Sequence, residues 1–168
     1  MKKVEQQCQD FLQSRQSLLL STQAVSGELE TSVVPFVQLN EGEFAIFVSE
    51  LAQHTQNLLV LEKLPKSNST GLVAGLLLAD ESETEQMFAR ERLSMQLSVE
   101  RITEEPLRSD TISNMQNQFG EVVEVLRGLP DFHCFKLKVV SGRYVRGFGA
   151  AYEFAACPCQ GLQGIKGR

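Results

Sequence analysis

Residues 91–102, ERLSMQLSVERI, set Leu93, Met95, Leu97 and Val99 in alternation with Ser94, Gln96, Ser98 and Glu100. Period-two alternation predicts a strand with one face buried and the other in water. Just upstream, TGLVAGLLLA (70–79) reads as its neighbour. Downstream, Ile112, Met115, Phe119, Val122, Val123 and Leu126 recur at helical intervals, predicting one helix from Asp110 to Leu126. Ser109 or Asp110 would cap it and Gly128 lies beyond its end.

The remaining segments follow the same logic. SLLLSTQ (17–23) and ETSVVPFVQL (30–39) flank the turn-forming AVSGEL and predict a hairpin, with Pro35 removing one ladder donor. EFAIFVSE (43–50) follows the turn Asn40-Glu41-Gly42 as a nearly unbroken apolar run, which predicts a central strand buried on both faces. Leu58, Leu59, Leu61 and Leu64 mark a helix that ends at Pro65 before a turn, KSNST. Val4, Cys8, Phe11 and Leu12 mark another over residues 2–15. DFHCFKLKVV (131–140) and GRYVRGFGAAYEF (142–154) predict a second hairpin across Ser141-Gly142, and CPCQGLQGIKGR after it has no periodicity.

After the first helix the order is β-β-β-α-β-β-α-β-β, without regular β-α-β alternation. That excludes a doubly wound sheet and predicts a mainly β (α+β) protein, an antiparallel barrel with peripheral helices. We expect one domain over residues 1–154 and a mobile tail over 155–168.

A chain of 168 residues with 42% hydrophobic and 22% charged residues suits one packed core. Its net charge of -5 argues against nucleic acid as a partner. The amino terminus lacks an apolar signal region and no stretch has the length of a membrane span, so the expectation is a cytoplasmic protein with no membrane partner. The four cysteines, Cys8, Cys134, Cys157 and Cys159, are then expected as free thiols. Motifs for a nucleophile elbow, a dinucleotide fingerprint, a phosphate loop or a paired-histidine zinc site are absent from the sequence.

Four stretches, TSVVPFV (31–37), FVSELAQHTQNL (47–58), FARERLSMQLSVERI (88–102) and SGRYVRGFGAAY (141–152), resemble in this order the flavin-binding split-barrel superfamily that includes the pyridoxamine phosphate oxidases. FARERL, LPDFHCFKL and GRYVRGFG resemble its HugZ and HutZ heme-utilisation branch. The resemblance implies a split β-barrel and a homodimer with two equivalent interface pockets. It also implies heme as cofactor with FMN as the alternative; a cofactor-free binding module is the third reading.

Site residues follow from that alignment of motifs. Ser49, His54 and Thr55 lie where flavin-binding relatives hold a phosphate at a helix start, but hydroxyls and a histidine stand where basic side chains are usual. Arg90 and Arg92, two apart at a strand start, share a face and are placed either to meet heme propionates or to balance Glu85 and Glu91. Arg143 and Arg146 precede Gly147-Phe148-Gly149, where the glycines either admit a planar cofactor or a second subunit or form a purely structural bulge. Asp131 matches an acidic residue that supports a heme-ligating histidine in the resembled proteins, or it is a turn aspartate after Pro130. Those proteins supply the histidine from their C-terminal region, whereas this chain has none after His133. His54, His133, Cys157 and Cys159 are the remaining candidate iron ligands, with a packed or capping role as the alternative for each histidine.

Overall fold

The structure, a computed structural model, describes residues 1–65 and 72–165. Helix α1 (Lys2–Gln13) leads into β1 (Ser17–Gln23), β2 (Leu29–Pro35), β3 (Val37–Asn40) and β4 (Glu43–Ser49). Helix α2 (Gln53–Leu61) precedes β5 (Val73–Leu78) and β6 (Arg92–Arg101). Helices α3 (Leu107–Phe119) and α4 (Val122–Arg127) then precede β7 (Phe132–Gly147), β8 (Ala150–Ala155) and β9 (Gln163–Gly164).

All pairings are antiparallel, in the order β2-β1-β5-β6-β7-β4-β3, with β8 on β7 and β9 on β8. The sheet curls into a split barrel because the 16-residue β7 serves two neighbours on one edge. Its first half pairs with β4 and its second half with β8, while β6 runs along its other edge. The expected antiparallel barrel with peripheral helices is what forms.

Alternation in β6 does what the sequence requires: Leu93, Met95 and Leu97 are buried in the barrel with Leu18, Leu20, Phe135 and Tyr144. Each fully buried aliphatic or aromatic side chain contributes about 1.5–3 kcal/mol. The unbroken apolar run of β4 also has its explanation. Phe44, Ile46 and Val48 enter the barrel core, whereas Ala45 and Phe47 meet Ile112, Met115 and Val123 in a second cluster under α3 and α4.

Several local expectations are corrected. Residues 30–39 form two strands, because the chain breaks between Pro35 and Val37. The single helix over 110–126 is two: Gly120 takes φ 86, a conformation that ends α3 and that glycine adopts without a Cβ penalty. Helix α3 begins at Leu107, before Ser109 and Asp110, so neither caps it; the Ser109 amide and hydroxyl bind the Glu105 carboxylate instead.

Ser141-Gly142 is not a turn but part of continuous β7. Gln96 pairs with Ser141 and Leu97 with Val139, which leaves Val140 bulged, and the chain reverses at Phe148-Gly149. Gly142 is needed for close approach: a Cβ there would lie 2.3 Å from the Ser94 carbonyl oxygen and 2.4 Å from the Phe154 ring.

The segment expected as a mobile tail is packed over residues 155–165. Pro158 and Leu162 are buried, β9 adds to β8, and Cys159 forms a disulfide with Cys8 of α1. The all-free-thiol expectation therefore holds only for Cys134 and Cys157. The expected turn KSNST and the first residues of the segment 70–79 fall within 66–71, outside the described residues. No helix among the described residues is long and apolar enough to cross a membrane.

Candidate functional site

Directly opposed residues of antiparallel strands share a sheet face, so the strand register alone maps the outer surface. One row crosses β1, β5, β6, β7 and β8 as Leu19, Leu76, Ser94, Arg143 and Glu153. The next row runs Ser21, Ala74, Gln96, Ser141 and Ala155. On the other side of the first lie Leu78, Arg92, Val145 and Ala151. A groove of about 870 Å³ follows this carpet of small side chains, with Gln160, Gly161 and Gln163 of the C-terminal segment along one margin.

Arg92 and Arg143 are thus brought to one face, one row apart, although 51 positions separate them in sequence. Arg90 is engaged elsewhere: its Nε donates to the Ala79 carbonyl at 2.7 Å and its Nη1 to Glu81 at 3.1 Å. Arg92 Nη1 donates to the Arg90 carbonyl at 2.9 Å, which holds the guanidinium at the start of β6, just beyond the groove lining.

A second polar group lies at the opposite end of β6 and β7. The Ser49 hydroxyl donates to Asp131 Oδ2 at 2.6 Å and accepts from the Leu51 amide at 3.1 Å. Arg101 Nη2 donates to His133 Nδ1 at 2.6 Å, which leaves the ring proton on Nε2 facing the Glu50 carboxylate. Both nitrogens of His133 are therefore committed. Glu50 and Arg101 escaped the sequence reading because one lies in the turn after β4 and the other at the end of β6, 51 positions apart, and they match no spacing rule.

Ala52, which has no side-chain acceptor, occupies the cap position of α2. With Glu50 and Asp131 beside that helix start and no basic residue in its first turn, the place of a phosphate in flavin-binding proteins carries carboxylates here. His54 and Thr55 turn inward. His54 Nδ1 bonds the Ser32 hydroxyl at 2.9 Å, while its Nε2 and the Thr55 hydroxyl are buried without a protein partner. Burial lowers the His54 pKa below the ordinary histidine value, and the nearby Glu30 opposes that shift.

Among the candidate ligands, Cys159 is bridged to Cys8, and Cys157 keeps a half-buried free thiol. Cys134 is sealed in the second core, and burial pushes its thiol up to about 12. No cluster of three or more histidine, cysteine or acidic side chains placed to hold a metal ion occurs among the described residues. The Arg92 and Asp131 ends are separated by the length of the ten-residue β6, roughly 30 Å along the strand.

Comparison with known proteins places these features. The pyridoxamine 5'-phosphate oxidase family model matches residues 4–146. A protein named heme oxygenase HutZ, from Vibrio cholerae, is 36% identical over 154 residues, covering 90% of this chain and 81% of its own length. The crystal structure of HutZ described as the heme storage protein of Vibrio cholerae has TM-score 0.70 and 32% identity, over 81% of this chain and 89% of that one. The crystal structure of Campylobacter jejuni ChuZ has TM-score 0.83 and 26% identity; it covers 99% of this chain, which spans only 63% of the ChuZ chain.

Proposed function

The chain belongs to the pyridoxamine 5'-phosphate oxidase family, and from that premise we propose that it is a cytoplasmic heme-binding homodimer serving heme storage, transfer or oxidative degradation. The observation that carries this reading is that Arg92, opposite Val145, and Arg143, opposite Ser94, share the outer sheet face one row apart, Arg143 inside the groove lined by Ser21, Ala74, Ser94, Ser141 and Ala155 and Arg92 just beyond that lining. Serine, alanine and glycine let a flat ring lie close to the backbone, and two guanidinium groups one row apart suit the two carboxylates on one edge of a porphyrin. A charge-assisted hydrogen bond of this kind is worth about 1.5–3 kcal/mol.

The candidate donors to an iron porphyrin differ in what already holds them. His133 has both nitrogens occupied, Cys159 is bridged, and His54 Nε2, on α2, is buried away from solvent. Cys157 is the candidate with an uncommitted, accessible donor atom, and a thiolate is a competent iron ligand. Heme, when bound, supplies a redox-active iron and a conjugated ring itself open to oxidation. The chain contributes binding, orientation and exclusion of water from the sheet face.

The dimer belongs to the same reading. An isologous pair that packs outer faces with strands reversed sets one protomer's arginine end against the other's Ser49–Asp131 end, so each of two equivalent pockets draws on both. Flavin binding is the alternative that the family raises, but the carboxylates around the α2 start disfavour a doubly charged phosphate there.

The test is a spectrophotometric titration of the apoprotein with hemin and, separately, with FMN. One heme per protomer with a shifted Soret band supports the proposal. Tight FMN binding without specific hemin uptake replaces it with a flavin oxidoreductase, and no binding of either leaves a cofactor-free module.

A further inference from the structure

We propose that the Cys8–Cys159 disulfide is a redox clasp: it fixes the C-terminal segment as one wall of the groove, so that its reduction changes access to the sheet face. The bridge spans 151 positions of sequence and joins α1 to the segment whose Gln160, Gly161 and Gln163 line the groove. No other covalent link holds that segment to the body of the protein among the described residues.

The backbone around the bridge is held in conformations that a free chain leaves. Cys159 itself has φ 66 and Ala156 has φ 58, both in the left-handed region that disfavours a Cβ. The intervening turn seats against Gly42, where a Cβ would lie 2.3 Å from the Ala156 carbonyl oxygen. The other contacts that hold the segment are non-covalent: Pro158 is buried and β9 pairs with β8. Leu162 is buried, the Gly161 amide donates to Glu5 at 2.9 Å and the Ile165 amide to the Ala151 carbonyl at 2.8 Å. Glu5 belongs to α1, so the hydrogen bond and the bridge fasten the segment to the same helix.

In a thiol-rich compartment a disulfide is usually a transient or sensing element rather than a permanent staple. A small dithiol reductant completes the chemistry. Both cysteines of the bridge are buried, so attack follows local opening of the segment: one reductant thiolate attacks a bridge sulfur, the other cysteine leaves as a thiolate, and the second reductant thiol then releases the mixed disulfide. Two electrons and two protons end on Cys8 and Cys159, and the reductant leaves as its own disulfide. Without the bridge, Ala156 and Cys159 relax to negative φ and the groove loses its wall. The change in access rests on the heme-binding reading, whereas the clasp itself does not.

The experiment compares the full-length protein after oxidation and after dithiothreitol treatment. Alkylation in denaturant should find two thiols in the oxidised form and four in the reduced form, with peptide mapping joining Cys8 to Cys159. Hydrogen exchange at the Gly161 and Ile165 amides should quicken by about tenfold or more on reduction while β6 and β7 keep their protection. Cys8→Ser should match the reduced protein under both conditions, and where it folds poorly the two forms of the unaltered chain give the same comparison. A bridge running through Cys157, or tail exchange indifferent to reduction, overturns the clasp. Hemin affinity then separates the two ideas. Tail release with an altered hemin Kd supports both, tail release with an unchanged Kd overturns control of access, and tail release without hemin binding in either form keeps the clasp and removes the heme reading.

Discussion

The Ser49 hydroxyl donates to the Asp131 carboxylate at 2.6 Å and so ties the last residue of β4 to the residue that precedes β7. The Glu50 amide donates to the Asp131 carbonyl at 2.8 Å, closing the same junction from the backbone. Asp131→Ala should lower unfolding free energy by about 1–2 kcal/mol in urea, the cost of losing a charge-assisted bond and stranding the hydroxyl. Asp131→Asn should cost less. With Ser49→Ala the losses should be less than additive; strict additivity in the double mutant would show that the two side chains do not act together.

His54 gives the fold a pH dependence whose sign follows from burial. Its folded pKa is lowered, so the unfolded chain binds the proton more readily. Its contribution is complete above the unfolded histidine value, about 6.5, and is lost as pH falls from there through the lower folded value. Denaturation curves between neutral and mildly acid pH should show stability falling toward acid. His54→Gln should flatten that slope, and an unchanged slope would place its origin elsewhere.

Much of the fold could be read before any coordinates. Alternation in 91–102 and the doubly buried run 43–50 report packing directly, because a strand's side chains sample its two faces in strict order. The misreadings occur where one residue type serves two purposes. Ser141-Gly142 has the composition of a turn, but its glycine makes room for Phe154; the reversal lies at Phe148-Gly149. The apolar spacing from Ile112 to Leu126 runs unbroken across Gly120, so periodicity alone reads one helix where the positive φ of that glycine makes two. The site was legible in part. Arg92 points to a shared face by its place in the strand, but its proximity to Arg143, one row away on β7, depends on a register that no local pattern encodes. Cys8–Cys159 is the extreme case, since a contact across 151 positions leaves no periodic trace.

The two free cysteines should differ sharply in reactivity. Burial raises the Cys134 thiol to about 12, so at pH 8 almost none of it is thiolate, and the side chain is enclosed as well. Native alkylation with iodoacetamide should modify Cys157 and spare Cys134 until the protein unfolds. Mass spectrometry of the modified peptides decides this, and rapid native labelling of Cys134 would mean that the second core opens.

Gly142→Ala should be among the most damaging small substitutions. The new methyl would meet both the Ser94 carbonyl oxygen and the Phe154 ring, so β6, β7 and β8 cannot all keep their positions. Overpacking of this kind costs about 1–3 kcal/mol. Adding Phe154→Leu removes only the ring contact, so thermal denaturation should show partial recovery. Complete recovery would mean that the backbone at Ser94 yields easily.

Arg92 and Arg143 should share the work of holding a dicarboxylate ring. Each change to alanine should weaken hemin binding by about tenfold, near 1.4 kcal/mol; the melting temperature should stay unchanged for the exposed Arg143 and fall slightly for Arg92, which loses its hydrogen bond to the Arg90 carbonyl. Lysine at either position should restore only part of the affinity, since an ammonium supplies charge without the planar fork that matches a carboxylate. Arg127→Ala is the control for net charge: that side chain pairs with Glu124 on α4, away from the groove, and its loss should leave the hemin Kd unchanged. A heme dimethyl ester, which lacks both carboxylates, should bind the unaltered protein as weakly as hemin binds the doubly substituted one. Should the ester instead bind as tightly as hemin, the arginines would have no part in recognition, and the porphyrin would have to be sought on another face.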